Sequence, residues 1–92
     1  MFVVVKNKPL TVCPISSNMN KIGKEFPYNV ELKDWKADGL YKPSHVKVDC
    51  SGVITFNDIK KLHGFLTSSD ESNVIIAYNG APQKTILEGL VD

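Results

Sequence analysis

Arginine is absent from this chain: all 11 basic side chains are Lys. No planar, permanently charged fork exists to grip a carboxylate or phosphate at two points, so an anion must be held by point charges. Cysteine is scarce. Cys13 and Cys50 stand far apart with no CxxC and no companion His spacing, which argues against a zinc site and a disulfide framework. Apolar runs such as residues 2–5 are too short to span a bilayer or to form a secretory core. Reduced thiols in a cytoplasmic protein with no membrane partner are therefore expected. A glycine-rich phosphate loop, a GxSxG elbow and a metal-ligand cluster are likewise missing, so no cofactor and no metal are expected.

What is present suffices for one small domain. The 92 residues are 42% hydrophobic and 23% charged, enough for a modest core, and a domain of this length is marginal unless its edges find partners. An oligomer is expected on that ground. The net charge of +1 is unevenly placed: residues 1–61 hold ten Lys against six acids, whereas residues 62–92 hold Lys84 against Asp70, Glu71, Glu88 and Asp92. The first two thirds can face a polyanion. A solvated lysine surface with an incidental gradient is the plain alternative.

Residues 2–5 are aromatic and β-branched, the turn-forming Lys6-Asn7-Lys8-Pro9 follows, and residues 10–15 are again apolar, which predicts a hairpin with Pro14 near a strand end. Residues 16–24 form a polar loop and a candidate functional surface. Alternation over 26–32 predicts a strand with Phe26, Tyr28, Val30 and Leu32 on the core side. Residues 34–40 read as a helical turn or compact loop closed by Gly39, with Trp35 and Leu40 plugging a barrel end. Residues 45–49 alternate again, with Val46 and Val48 inward and His45, Lys47 and Asp49 outward. Ser51-Gly52 turns the chain into a strand at 53–55. Asn57 is a plausible cap for a short helix ending at Gly64. Ser68 and Glu71 have capping-box spacing ahead of a second helix stopped by Asn79-Gly80, and Pro82 opens a further helical stretch with Ile86, Leu87, Leu90 and Val91. Strands precede helices, so the class is α+β, built on a small, strongly curved antiparallel sheet or open barrel.

Lys47 and Asp49 are the first candidate pair, because residues two apart on a strand project from one face. Cleavage of RNA through its own 2′-hydroxyl needs a base for that hydroxyl, an acid for the departing 5′ oxygen and positive charge near the phosphorane. Asp49 suits the base, and Lys47 the acid or electrostatic stabiliser; the alternative is an exposed ion pair of little energetic weight. Ser16, at a strand end, can present its hydroxyl to a phosphate or simply cap a turn. His45 lies on the same predicted face as the pair. Neither it nor His63 has triad spacing.

The ordered series Val12-Cys13-Pro14-Ile15-Ser16-Ser17, Pro27-Tyr28-Asn29-Val30-Glu31-Leu32, Gly39-Leu40 with Lys42-Pro43-Ser44, Val46-Lys47-Val48-Asp49 and Leu62-His63-Gly64-Phe65-Leu66, with the Asp70-Glu71 helix, resembles the MazF/PemK growth-inhibitor toxins of type II toxin–antitoxin systems. The likeness covers roughly residues 2–78. It implies an SH3-like antiparallel β-barrel of the MazF/Kid/CcdB kind with C-terminal helices. It also implies a homodimer and a metal-independent endoribonuclease that cuts single-stranded RNA or mRNA and is neutralised by an antitoxin. By this resemblance Ser16 stands at the family's Thr that helps hold the scissile phosphate, and Lys47 and Asp49 fall where the family carries an Arg and an Asp. Ser17, Lys21, Lys24 and His45 are then the candidate RNA contacts. Met1-Phe2 stands where the family has an Arg-Pro pair, so residues 1–92 read as a single domain lacking the family's usual first strand and loop, with an apolar edge at residues 2–5 that would pair with another chain. The second expectation is a non-catalytic module of the same fold that binds RNA, an antitoxin or a toxin subunit.

Overall fold

Residues 1–59 and 62–84 are described by the computed structural model. The expected hairpin is present as β1 (Phe2–Asn7) and β2 (Leu10–Ser16). Val3 faces Cys13 and Val4 faces Val12, and a shift between Val4 and Lys6 lets Lys6 face Thr11. This bulge leaves Val5 buried and Val4 exposed, so the alternation of β1 survives the extra residue.

β2 is the spine of the sheet. β1 lies along one edge, while the other edge takes β5 (Gly52–Val53) beside Thr11 and Val12, and β4 (Ser44–Lys47) beside Ile15 and Ser16. β3 (Asn29–Leu32) lies outside β4, with Val30 opposite Val46. The order is β1-β2-β4-β3, with β5 off that path. All these pairings are antiparallel. The sheet is open: β1 and β3 are its ends, and no ladder joins them among the described residues. β3 begins at Asn29 rather than Phe26 because residues 26–29 form a turn, Asn29 N–H donating to Phe26 O over 3.1 Å, and Pro27 has no N–H to offer a ladder.

The core is Val5, Cys13, Leu32, Val46, Val48 and Val74. Full burial of an aliphatic side chain of this kind contributes about 1.5–3 kcal/mol. Trp35, Leu40, Leu66 and Tyr78 pack around it half-buried. Residues 34–40 form the expected compact turn, with Asp38 N–H donating to Asp34 O and Leu40 N–H to Trp35 O, each over 2.9 Å. Gly39 closes it at φ +93°.

α1 (Ser68–Gly80) packs through Asp70, Val74, Ala77 and Tyr78, spaced as one helical face. Its cap is Thr67 rather than Ser68: Thr67 Oγ1 accepts from Asp70 N–H over 3.3 Å, and Thr67 O accepts the Glu71 N–H over 2.8 Å. The capping signal thus lies one residue earlier than its sequence spacing suggests. The short helix expected from Asn57 is a single 3₁₀ turn, Phe56–Asp58, capped by Thr55. Asp58 Oδ2 accepts the Thr55 N–H at 2.7 Å, a capping-box contact at the start of the turn, and the chain leaves helical geometry at Ile59, with φ −82° and ψ 110°. The helical stretch expected around Ile86, Leu87, Leu90 and Val91 lies outside the described residues. Among those described, no helix is long and apolar enough to cross a membrane.

Candidate functional site

Three local arrangements converge beside the start of β3. The loop after β2 is drawn in by Asn29, whose Nδ2 donates to Lys21 O over 2.8 Å. The turn at 23–26 is closed by Phe26 N–H donating to Gly23 O at 2.9 Å. Asn29 is paired with Lys47 at the end of β4, and Val48 N–H continues that pairing onto Tyr28 O at 3.1 Å. The chain then turns, Cys50 N–H donating to Lys47 O at 3.3 Å.

These contacts enclose a groove of about 620 Å³. Lys21, Lys47 and Lys84 supply its positive charge, Glu25 and Asp49 its carboxylates, and Phe26 and Tyr28 its aromatic surface. A second recess, of about 410 Å³, is lined by residues 33–37 alone; its Lys36 ammonium sits 5.5 Å from the Trp35 ring centre, and Asp34 is held there by the Thr67 hydroxyl. The larger groove is the one that brings together charged groups from separate elements of the fold.

Lys47, Asp49 and Lys21 are brought together there, but not by the pleat of one strand. β4 ends at Lys47, and Asp49 reaches the groove from the following turn. Asp49 is buried rather than on a solvent face. Its Oδ2 lies 3.4 Å from Lys84 Nζ, and its Oδ1 accepts from Cys50 Sγ at 3.5 Å. Phe26 and Tyr28, expected in the core, line the groove instead, and Tyr28 is exposed.

The other candidates separate from this group. Ser16 ends β2 opposite His45, and its Oγ accepts the Asn18 N–H over 3.2 Å, the turn-capping role. Ser17 and Lys24 are exposed and are not among the groove-lining residues. The outward orientation expected for His45 is corrected: its side chain is fully buried, and neither ring nitrogen has a hydrogen-bond partner among the described residues. A strand flanked by β2 and β3 has both faces available for covering, so period-two alternation alone did not decide which side met solvent. Burial, with Lys47 and Lys21 nearby, lowers its pKa and keeps the ring neutral.

Cys50 lines the groove, and burial together with Asp49 raises its thiol pKa. Cys13, at the core, is pushed up to about 12, chiefly by burial. Both are free thiols, and neither is set up as a nucleophile. Among the described residues no group of three His, Cys, Asp or Glu side chains is placed to hold a metal ion.

Lys84 is the residue that sequence reasoning missed. Its signal was faint: it is the lone Lys of the acidic last third, and only the fold carries it back to the basic part. Compared with protein-family models, with curated proteins and with solved structures, the chain has no match in any of the three.

Proposed function

We propose that this chain is a toxin of the MazF/PemK type, an endoribonuclease that cuts single-stranded RNA without a metal ion and so inhibits translation and growth. The observation that supports this reading is the groove itself, which three lysines and two aromatic side chains line together with Asp49. Lysines track a phosphate backbone as point charges, and exposed aromatic rings offer stacking surfaces to unpaired bases. In the proposed reaction Asp49 takes the proton of the 2′-hydroxyl as that oxygen bonds to phosphorus. Lys47 donates a proton to the 5′ oxygen as the P–O bond breaks, leaving a 2′,3′-cyclic phosphate and a free 5′-hydroxyl. Lys21 stabilises the charge on the phosphorane. Ser16 serves the turn that positions the loop.

The SH3-like barrel of the MazF/Kid/CcdB kind, the homodimer, the neutralising antitoxin and the cytoplasmic setting belong to the same proposal. The edge of β1, with Phe2 and Val4 exposed, supports pairing with a second copy. The test is incubation of purified protein with a long single-stranded RNA in EDTA, beside Asp49→Ala. Cleavage by the wild type and loss in the variant are expected; equal cleavage by both, or none by either, removes the catalytic assignment.

A second reading, a toxin-fold module that binds RNA, an antitoxin or a toxin subunit without cutting, is favoured by the Lys84–Asp49 ion pair and by the absence of Arg. RNA binding without cleavage selects it.

A further inference from the structure

Lys84 reaches the groove by a route independent of the strands that build it. After α1 the chain turns at Ala81, whose N–H donates to Tyr78 O over 3.3 Å, and residues 82–84 then lie across the turn that follows β4. Gln83 seats this segment with both ends of its amide. Nε2 donates to Val48 O at 2.9 Å, while Oε1 accepts from Ser51 N–H at 3.2 Å and from Ser51 Oγ at 2.7 Å. The Lys84 N–H donates to Asp49 O at 2.7 Å. The backbone on both sides of Asp49 is thus held by the strap that presents Lys84.

The side chains of the ion pair are unequal. Lys84 is 59% exposed and Asp49 11%, so the ammonium stands at the rim, hydrated, above a largely covered carboxylate. An ion pair with one partner in water is weak and screened by salt. A polyanion offers a stronger competitor, because each phosphate that gains a lysine releases counterions.

Resting on the reading of this groove as an RNA site, we propose that residues 81–84 are a strap that delivers Lys84 as a further phosphate-binding residue. Lys84 exchanges its ion pair with Asp49 for a backbone phosphate when a single strand enters. Binding of the strand and release of the carboxylate are then one event. The seat is a neutral amide, so the strap keeps its place at salt concentrations that weaken the ion pair.

The test is the fluorescence anisotropy of a labelled deoxyuridine oligonucleotide, which lacks the 2′-hydroxyl needed for cleavage, titrated with protein over a range of NaCl concentrations. Lys84→Ala is expected to weaken binding several-fold at low salt and to lower the slope of log K against log salt by about 0.7, the value for one phosphate contact on a single strand. Lys84→Arg keeps the slope. Gln83→Ala removes no charge, yet is expected to lose the same slope because the strap is unseated. Lys8→Ala, in the β1–β2 turn, is the control and changes neither. An unchanged slope in Lys84→Ala beside a lowered one in Lys47→Ala overturns the strap and leaves the groove reading standing. No binding by the wild type, or equal slopes in every lysine variant, overturns both. If Gln83→Ala unfolds the chain, Lys84→Ala, which retains the backbone bond to Asp49, decides the matter alone.

Discussion

The backbone N–H of Thr67 donates to Asp38 Oδ1 across 2.8 Å, fastening the start of α1 to the turn that follows β3. The joint is reinforced from both sides: Thr67 Oγ1 donates to Asp34 Oδ2 at 2.7 Å, and Asp70 of α1 accepts the N–H groups of Lys33 and Asp34 at 3.2 and 3.0 Å. Three carboxyl groups therefore share one small region.

That crowding has a pH signature. Asp38 Oδ2 is buried with no hydrogen-bond donor among the described residues, and its neighbour Asp70 is another carboxyl, so a proton shared between the two would satisfy it. Burial first, then the hydrogen bond to Asp70, raises the Asp38 pKa from 3.8 to about 6. The folded state binds this proton more tightly than the unfolded one, so the contribution is full below 3.8 and is lost as pH rises towards 6. Asp38→Asn supplies a permanent donor to Asp70 and keeps an acceptor for Thr67. Urea unfolding is expected to show about 1–2 kcal/mol greater stability for the variant at pH 7.5, and a smaller gain at pH 4.5. Equal gains at both pH values would refute the shared proton.

His45 slopes the opposite way. Its pKa is lowered from 6.5 in the fold, so the unfolded chain takes up a proton first, and stability is lost as pH falls below 6.5. His45→Leu removes two buried nitrogens that have no partner among the described residues and is expected to stabilise the protein by about 1 kcal/mol at pH 7, abolishing this acid-side loss. A variant less stable than the wild type at pH 7 would show that the ring is held by a contact its geometry does not reveal.

Gly39 carries a sharper constraint than its turn position suggests. At φ +93° an added Cβ would stand 2.6 Å from His63 O, so substitution meets backbone strain and a collision with main chain together. Gly39→Ala is expected to lower stability by about 2–4 kcal/mol. Gly23, at φ +117° with open space around the added Cβ, is expected to cost about 1 kcal/mol. Comparable thermal shifts for the two would contradict the steric account.

On the proposed reading, Ser16 and Asp49 separate a structural from a chemical role. The Ser16 hydroxyl caps the Asn18 turn, so Ser16→Ala is expected to leave RNA cleavage within about threefold while costing up to about 1 kcal/mol of stability. Asp49→Asn is expected to lower cleavage about 100-fold or more if the carboxylate is the base. Single-turnover cleavage of both variants, at matched fractions folded, checks the assignment. A large loss in Ser16→Ala would restore it to the phosphate site.

Cys13 is a reporter of opening. With the thiol pushed up to about 12 and no exposed surface, it is expected to resist iodoacetamide at pH 8 until the chain opens. In a Cys50→Ser background the labelling rate should rise in parallel with the unfolded fraction in urea. Rapid labelling of the native protein would contradict its burial.

Local signals carried a large part of this protein into view. The β1–β2 hairpin, the inward Val46 and Val48, the compact turn closed by Gly39 and the helix ending at Gly80 follow from period-two alternation, turn chemistry and helix stop signals, all of which act over a few residues. The lack of Arg likewise left anion binding to lysine, whatever the fold. Tertiary structure decided the rest. Pro27 and the 26–29 turn moved Phe26 and Tyr28 out of the core and into the groove, and packing around β4 buried His45. Asp34 and Asp38 drew the helix cap back to Thr67, and among the described residues the ends of the sheet stayed unjoined. Most of all, Gln83 brought Lys84 from the acidic end of the chain to Asp49 through contacts spanning more than thirty residues. Such contacts depend on which surfaces meet once the chain is folded, and no local periodicity encodes them.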